Sequence, residues 1–222
     1  MVKMNKTKSI TNELQNYVNL ERLTFLVDGV FAITITLLVL ELRPPGEGIL
    51  DLKDSLLAML PRLYIYIIAF YSIANHWVVH QRMFRHITDV DNTLLWLTIL
   101  ELLFITLMPT STAIVGRYPG EKLAAACFSA NSFFHALSNW FFWGYVVKNH
   151  EQFASKTNQN LLIITPQVWF VISIGWLISI LLVTLSVYLT YAMWILLPNL
   201  AAFWGRYRRH QITQTLKINK EG

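Results

Sequence analysis

The chain has 222 residues, 55% of them hydrophobic and 14% charged, with eight Trp, nine Tyr and a net charge of +5. That apolar load excludes an ordinary soluble domain and predicts an integral membrane protein. The single cysteine, Cys127, excludes an internal disulfide and a cysteine-rich metal site, and its place among alanines reads as small buried packing.

Lys3, Lys6 and Lys8 precede any apolar run, and the short apolar core and small-residue cleavage site of a secretory signal are missing. Residues 1–22 are therefore expected to form a cytoplasmic N-terminal segment, and the first span to stay as an anchor. Apolar segments at 23–42, 56–79, 93–114, 122–147, 164–184 and 186–204 then predict six transmembrane helices in one membrane domain over residues 23–205. A hydrocarbon core about 30 Å thick takes roughly 20 apolar residues as helix. The last two segments share one apolar stretch from Val168 to Trp204, too long for a single crossing, so a tight turn is placed near Thr184 to Ser186. Pro44-Pro45-Gly46, Pro119-Gly120 and the polar run from Lys148 to Asn160 mark loops. Backbone groups in lipid must be satisfied within the protein, and the ten-residue alternation of a membrane barrel is missing, so the fold class is all-α.

Six spans put both termini on one side. Of the 18 Lys and Arg, only Arg43, Lys53, Arg62, Arg117 and Lys122 fall on the opposite side, which places both termini in the cytoplasm. The positive charge is thus mainly a topology signal. The tail over residues 206–222 is read as a basic cytoplasmic segment in contact with membrane lipid, with no nucleic-acid partner.

Within the first span, RLTFLVDGVFAITITLLVLEL, Asp28 is the one acid before Glu41. A carboxylate there is costly enough to require a partner, about 2.5–3.5 kcal/mol on insertion scales. The topology brings Asn75, His76, Trp77 and His80 of the second span to the same depth, so Asp28 is expected to form a structural latch with Arg22, His76, Trp77 and His80, with Arg82 a further candidate partner. His76 and His80 also lie four apart on one helical face, a spacing that can hold a metal, with His86, Asp89 and Asp91 further along. Without the supporting Glu of a zinc-protease motif the pair is a weak signal, and no metal or cofactor is expected.

Glu101 lies among leucines of the third span and must face protein or water; His135, Asn131, Ser138 and Asn139 of the fourth span are candidate partners. On the first span Ile33, Leu37 and Leu40 share a face at steps of four and three, with Thr36 beside Leu37. Read alone, that stripe is core or lipid face.

The order Arg22, Asp28, then GVFAITITLLVLEL resembles the first span of the bacterial relatives of the lysosomal potassium channel, the transmembrane protein 175 family. LLAMLPRLYIYIIAF, HWVVHQRMFRHI and LLWLTILELLFITLMPTSTAIVGRYP follow in register, and the resemblance runs over about residues 20 to 205. It implies a potassium-permeable cation channel, a homo-tetramer of six-span subunits in the cell membrane, with helix one lining a central pore and no enzymatic activity. Ile33 matches the family's pore constriction, Leu37 and Leu40 continue it, Thr36 matches a ring of hydroxyls, and Glu41 falls near the outer mouth. The family's usual Phe-Ser-Asp is here Leu26, Val27 and Asp28; a second histidine is Gln81, an asparagine is Thr98, and Glu101 replaces a commonly apolar residue. Two alternatives stand beside the channel: a proton-coupled secondary transporter using Glu101 and His135, for which no inverted repeat is visible, and a membrane-embedded metal enzyme at His76, His80 and His86.

Overall fold

The computed structural model describes residues 20–42, 51–154 and 162–221, and among them every regular element is helical. Helix α1 spans Leu20–Leu37 and tightens into a 3₁₀ turn over Leu38–Glu41; α2 is Leu52–Phe84, α3 Asn92–Thr106, α4 Met108–Arg117 and α5 Lys122–Lys148. A short α6, His150–Phe153, is followed by α7, Ile164–Leu185, and α8, Val187–Glu221. The stretches Leu20–Leu40, Leu52–Phe84, Asn92–Arg117, Ile164–Leu185 and Val187–Arg208 are long and apolar enough to cross a bilayer. Helix α5 matches them in length at 27 residues but is more polar, and it turns Ser129, Ser132, His135, Ser138 and Asn139 into the protein. The chain is a multi-pass, all-α membrane protein.

The third apolar segment, expected as one span, is long and apolar enough to be one over Asn92–Arg117, with an interruption at Leu107 between α3 and α4. Pro109 sits in the first turn of α4, where its missing N–H removes one bond to the preceding turn. The turn inferred near Thr184 to Ser186 lies at Ser186, whose φ of −158° and ψ of 130° separate α7 from α8. Lys122 Nζ donates to the Thr184 carbonyl at 2.7 Å, satisfying one of the acceptors left open at the end of α7. Helix α8 continues beyond its apolar span, which ends at Arg208, through the basic stretch to Glu221.

Helix α5 is the centre of the subunit, packed on α3 and α4 at one side and most extensively on α7 at the other. A neutral polar staple ties α5, α7 and α8: the Ser129 and Ser179 hydroxyls lie 2.9 Å apart, and Trp194 Nε1 donates to both, at 3.1 and 3.0 Å. Close approach of α7 to α8 requires Gly175, because a Cβ there would overlap the Leu197 side chain. Cys127 is exposed, contrary to the packing role expected of it. Ala124, Ala125, Phe128 and Ser129 occupy the inner arc of α5, and the helical step of 100° turns Cys127 away from them.

The loop from α2 to α3 is pinned at the end where α1 begins. Asp91 caps α3 by accepting from Leu94 N at 2.7 Å, and Tyr145 near the end of α5 donates to its other oxygen at 2.6 Å. Thr88 N donates to the Phe153 carbonyl at 2.7 Å, so the short α6 closes over the same loop.

Candidate functional site

Helix α1 divides into two faces. Leu23, Val27, Phe31, Thr34 and Leu38, at steps of four, four, three and four, are buried against α2, α3 and α4. Ile33 is 60% exposed, Leu40 51% and Leu37 44%, so in a single copy the aliphatic stripe faces away from the subunit. Thr36 is exposed beside them, and its hydroxyl donates to the carbonyls of Ile33 at 2.8 Å and Ala32 at 3.1 Å. With its proton so engaged, the oxygen keeps a lone pair for a ligand on the open face. The Glu41 side chain, Arg43 and Pro44-Pro45-Gly46 lie outside the described residues, as do Lys3, Lys6 and Lys8.

Asp28 is partnered by α2 through Trp77, which the latch was expected to include, and through Gln81, which it was not, whereas Arg22, His76 and His80 do not reach it. Trp77 Nε1 donates to Asp28 Oδ1 at 2.9 Å, and Gln81 Nε2 donates to the same oxygen at 3.1 Å, with Oδ2 at 3.4 Å. Arg22 is exposed and, among the described residues, forms no ion pair with Asp28. The reason is angular: Trp77 and Gln81 sit four apart on the strip of α2 that faces Asp28, whereas His76 and His80 are one helical step around, toward the interior. Arg82 is a further step round and is exposed. The i, i+4 spacing of Trp77 and Gln81 was the available signal for this pair.

His76 and His80 serve a different acid. His76 Nε2 lies 2.7 Å from Glu101 Oε1 of α3, and His135 Nε2 of α5 lies 3.2 Å from His76 Nε2. Asn139 Nδ2 donates to the His135 carbonyl at 3.1 Å and approaches its Nε2 at 3.3 Å. His80 Nε2 stands 4.0 Å from Glu101 Oε2, beyond hydrogen-bond reach, and both atoms are buried without a partner. Glu101 is 1% exposed, so this is a carboxylate fully withdrawn from lipid.

Aromatic rings wall the cluster. Phe31, on the packed face of α1, stacks over His76 with centroids 5.4 Å apart and lies 5.9 Å from His80. Phe84 stacks on His80 at 4.0 Å, and Trp169 of α7 meets His76 edge-on at 5.1 Å. The four rings Phe31, Phe84, His76 and His80 join the inner face of α1 to the buried acid, with Ile33 on the opposite side of the same helix. Neither Phe31 nor Trp169 carried a sequence signal, since each is one aromatic among many in an apolar run. Thr98 is buried and donates to the Leu94 carbonyl within its own helix at 2.9 Å.

Comparison with known proteins identifies what the chain is similar to. A family model, Endosomal/lysosomal potassium channel TMEM175, matches residues 22–109. A potassium channel of Streptomyces collinus is 32% identical over 136 residues, covering 59% of this chain and 66% of the relative. One of Chamaesiphon minutus is 36% identical over 108 residues, 46% of this chain and 53% of the relative. The matches thus span between half and two thirds of these relatives' length. The crystal structure of a lysosomal potassium-selective channel TMEM175 homolog from Chamaesiphon minutus superposes with a TM-score of 0.74 at 25% identity, covering 85% of this chain and 99% of that one.

Proposed function

We propose that this chain, which belongs to the TMEM175 family, is one subunit of a potassium-permeable cation channel in which four copies gather α1 around a central axis. The observation that carries this reading is the division of α1. One face is consumed in packing from Leu23 to Leu38, and the other presents Ile33, Thr36, Leu37 and Leu40, which the described residues of the same subunit leave exposed. Closed rotational symmetry turns one stripe into rings.

An Ile33 ring makes an apolar neck that resists water and ions, so it gates by dewetting, with Leu37 and Leu40 continuing the wall. The Thr36 hydroxyls, their protons held by backbone carbonyls, offer oxygens that replace part of a potassium ion's hydration shell. Glu41 near the outer mouth raises the local cation concentration. Asp28, held by Trp77 and Gln81, latches the cytoplasmic end of α1 to α2 and so fixes which face meets the axis. The relatives in Streptomyces collinus and Chamaesiphon minutus are named potassium channels, which supports potassium as the ion. The subunit sits in the plasma membrane with both termini cytoplasmic and the basic end of α8 against anionic lipid, and catalysis has no part in this reading.

A proton-coupled transporter would instead work through Glu101. That acid lies behind Phe31, on the far side of α1 from the stripe, so the pore reading does not use it. Purified protein in a planar bilayer under a potassium–sodium gradient decides between them. The expected result is a passive current with a reversal potential displaced toward potassium, and larger or less selective current for Ile33→Asn. A reversal at zero overturns potassium selectivity, and an Ile33→Asn current equal to wild type removes Ile33 from the pore wall.

A further inference from the structure

We infer that His76, His135 and Glu101 form a binding site for a zinc-class divalent cation, joining α2, α5 and α3 behind the helix with the open aliphatic stripe. One ring nitrogen from each histidine and a Glu101 oxygen lie within 4.8 Å of one another, and all three residues are buried. Each presents an atom able to give a lone pair to a common point. Tetrahedral zinc with Zn–N near 2.0–2.1 Å sets neighbouring donors about 3.3 Å apart. His76 and His135 already stand 3.2 Å apart, and the 2.7 Å contact of His76 with Glu101 has to open by roughly half an ångström to match.

Hydrogen bonding alone leaves this cluster incomplete. One ring nitrogen, His76 Nε2, faces both Glu101 and His135, while Glu101 Oε2 and His80 Nε2 have no partner at all. An ion at the centre takes a lone pair from each of the three donors, and a small rotation of the carboxylate brings Oε2 to His80 Nε2–H as an outer hydrogen bond. Two imidazoles and a carboxylate select zinc, cobalt or nickel over magnesium and calcium, which favour all-oxygen sites. The fourth position opens on a cavity of about 370 Å³ lined by His76, His135, Asn75, Ser72, Thr165 and Trp169, roomy and polar enough for a water ligand. Because Phe31 rests on His76, occupancy of this site stiffens the seat of α1.

The test uses the full chain in detergent with its affinity tag removed, stripped with chelator and then equilibrated with zinc or cobalt. Elemental analysis is expected to find stoichiometric zinc in the wild type and a large loss in Glu101→Gln and in His135→Ala. His80→Ala, in the outer hydrogen bond, is expected to weaken binding about 10–100-fold. The cobalt form of the wild type is expected to show visible d–d absorption of tetrahedral intensity, a measurement that requires no variant to fold. Substoichiometric zinc in the wild type, octahedral cobalt bands, or zinc content unchanged in both ligand variants would each overturn the site. None of these readouts depends on conduction, so a silent bilayer and an absent metal are separate failures.

Discussion

Two polar nodes lie inside the same helix bundle and are built on opposite terms. The Ser129–Ser179–Trp194 node is neutral, and its three groups bond one another at 2.9 to 3.1 Å. The His76–Glu101–His135 node is ionisable and keeps two buried atoms without partners. In lipid an unsatisfied group is costly and an ionisable one more so, which is why intramembrane charges mark function. The first node has the character of a fastener, the second that of a site. Asp28 stands between them, ionisable yet accepting from two donors.

The largest effect is expected where packing and hydrogen bonding are lost together. Trp194 is 2% exposed and its ring lies 4.3 Å from Phe128 and 4.8 Å from Tyr191. Trp194→Ala should cost about 3–5 kcal/mol, read as a lowered midpoint of thermal unfolding in detergent. A midpoint equal to wild type would contradict the view of this node as a fastener. At the intermediate node, Trp77→Phe keeps one aromatic ring but removes the indole N–H donor to the carboxylate, so the same melt should report a loss of about 1.5–3 kcal/mol. A loss as large as that of Trp194→Ala would mean that Gln81 alone cannot hold Asp28 and that the latch is a stability element in its own right.

Run length and composition made the helical class and the segment positions legible, because a bilayer sets the length of an apolar helix whatever packs against it. The sequence also offered a partner for Asp28 on the second span at the right depth, whereas for Glu101 it offered His135, Asn131, Ser138 and Asn139, and the group that hydrogen-bonds the acid is His76. What it could not supply was azimuth. Trp77 and His76 are adjacent in sequence and equal in depth, yet 100° of rotation gives one to Asp28 and the other to Glu101. The same ambiguity hid the outward turn of Cys127 and the stacking of Phe31 on His76. In an apolar span nearly every face is hydrophobic, so periodicity carries little information about which face is inside. The break before Pro109 was readable from the proline itself, although the surrounding apolar run masks it.

The smallest stability effect is expected at the node with the most charge. Glu101→Gln preserves shape and keeps an amide oxygen 2.7 Å from His76 Nε2, where a neutral ring can still donate. It also removes the desolvation cost of a carboxylate buried to 1% exposure. In chelator-stripped protein these changes oppose one another, and the unfolding midpoint should move by less than the equivalent of about 1.5 kcal/mol in either direction. A loss approaching that of Trp194→Ala would make Glu101 a fastener like Ser129 and Ser179 and erase the distinction between the nodes. A small shift combined with loss of the cation means that the acid is kept for what it binds, since a satisfied apolar or amide side chain would serve the fold as well.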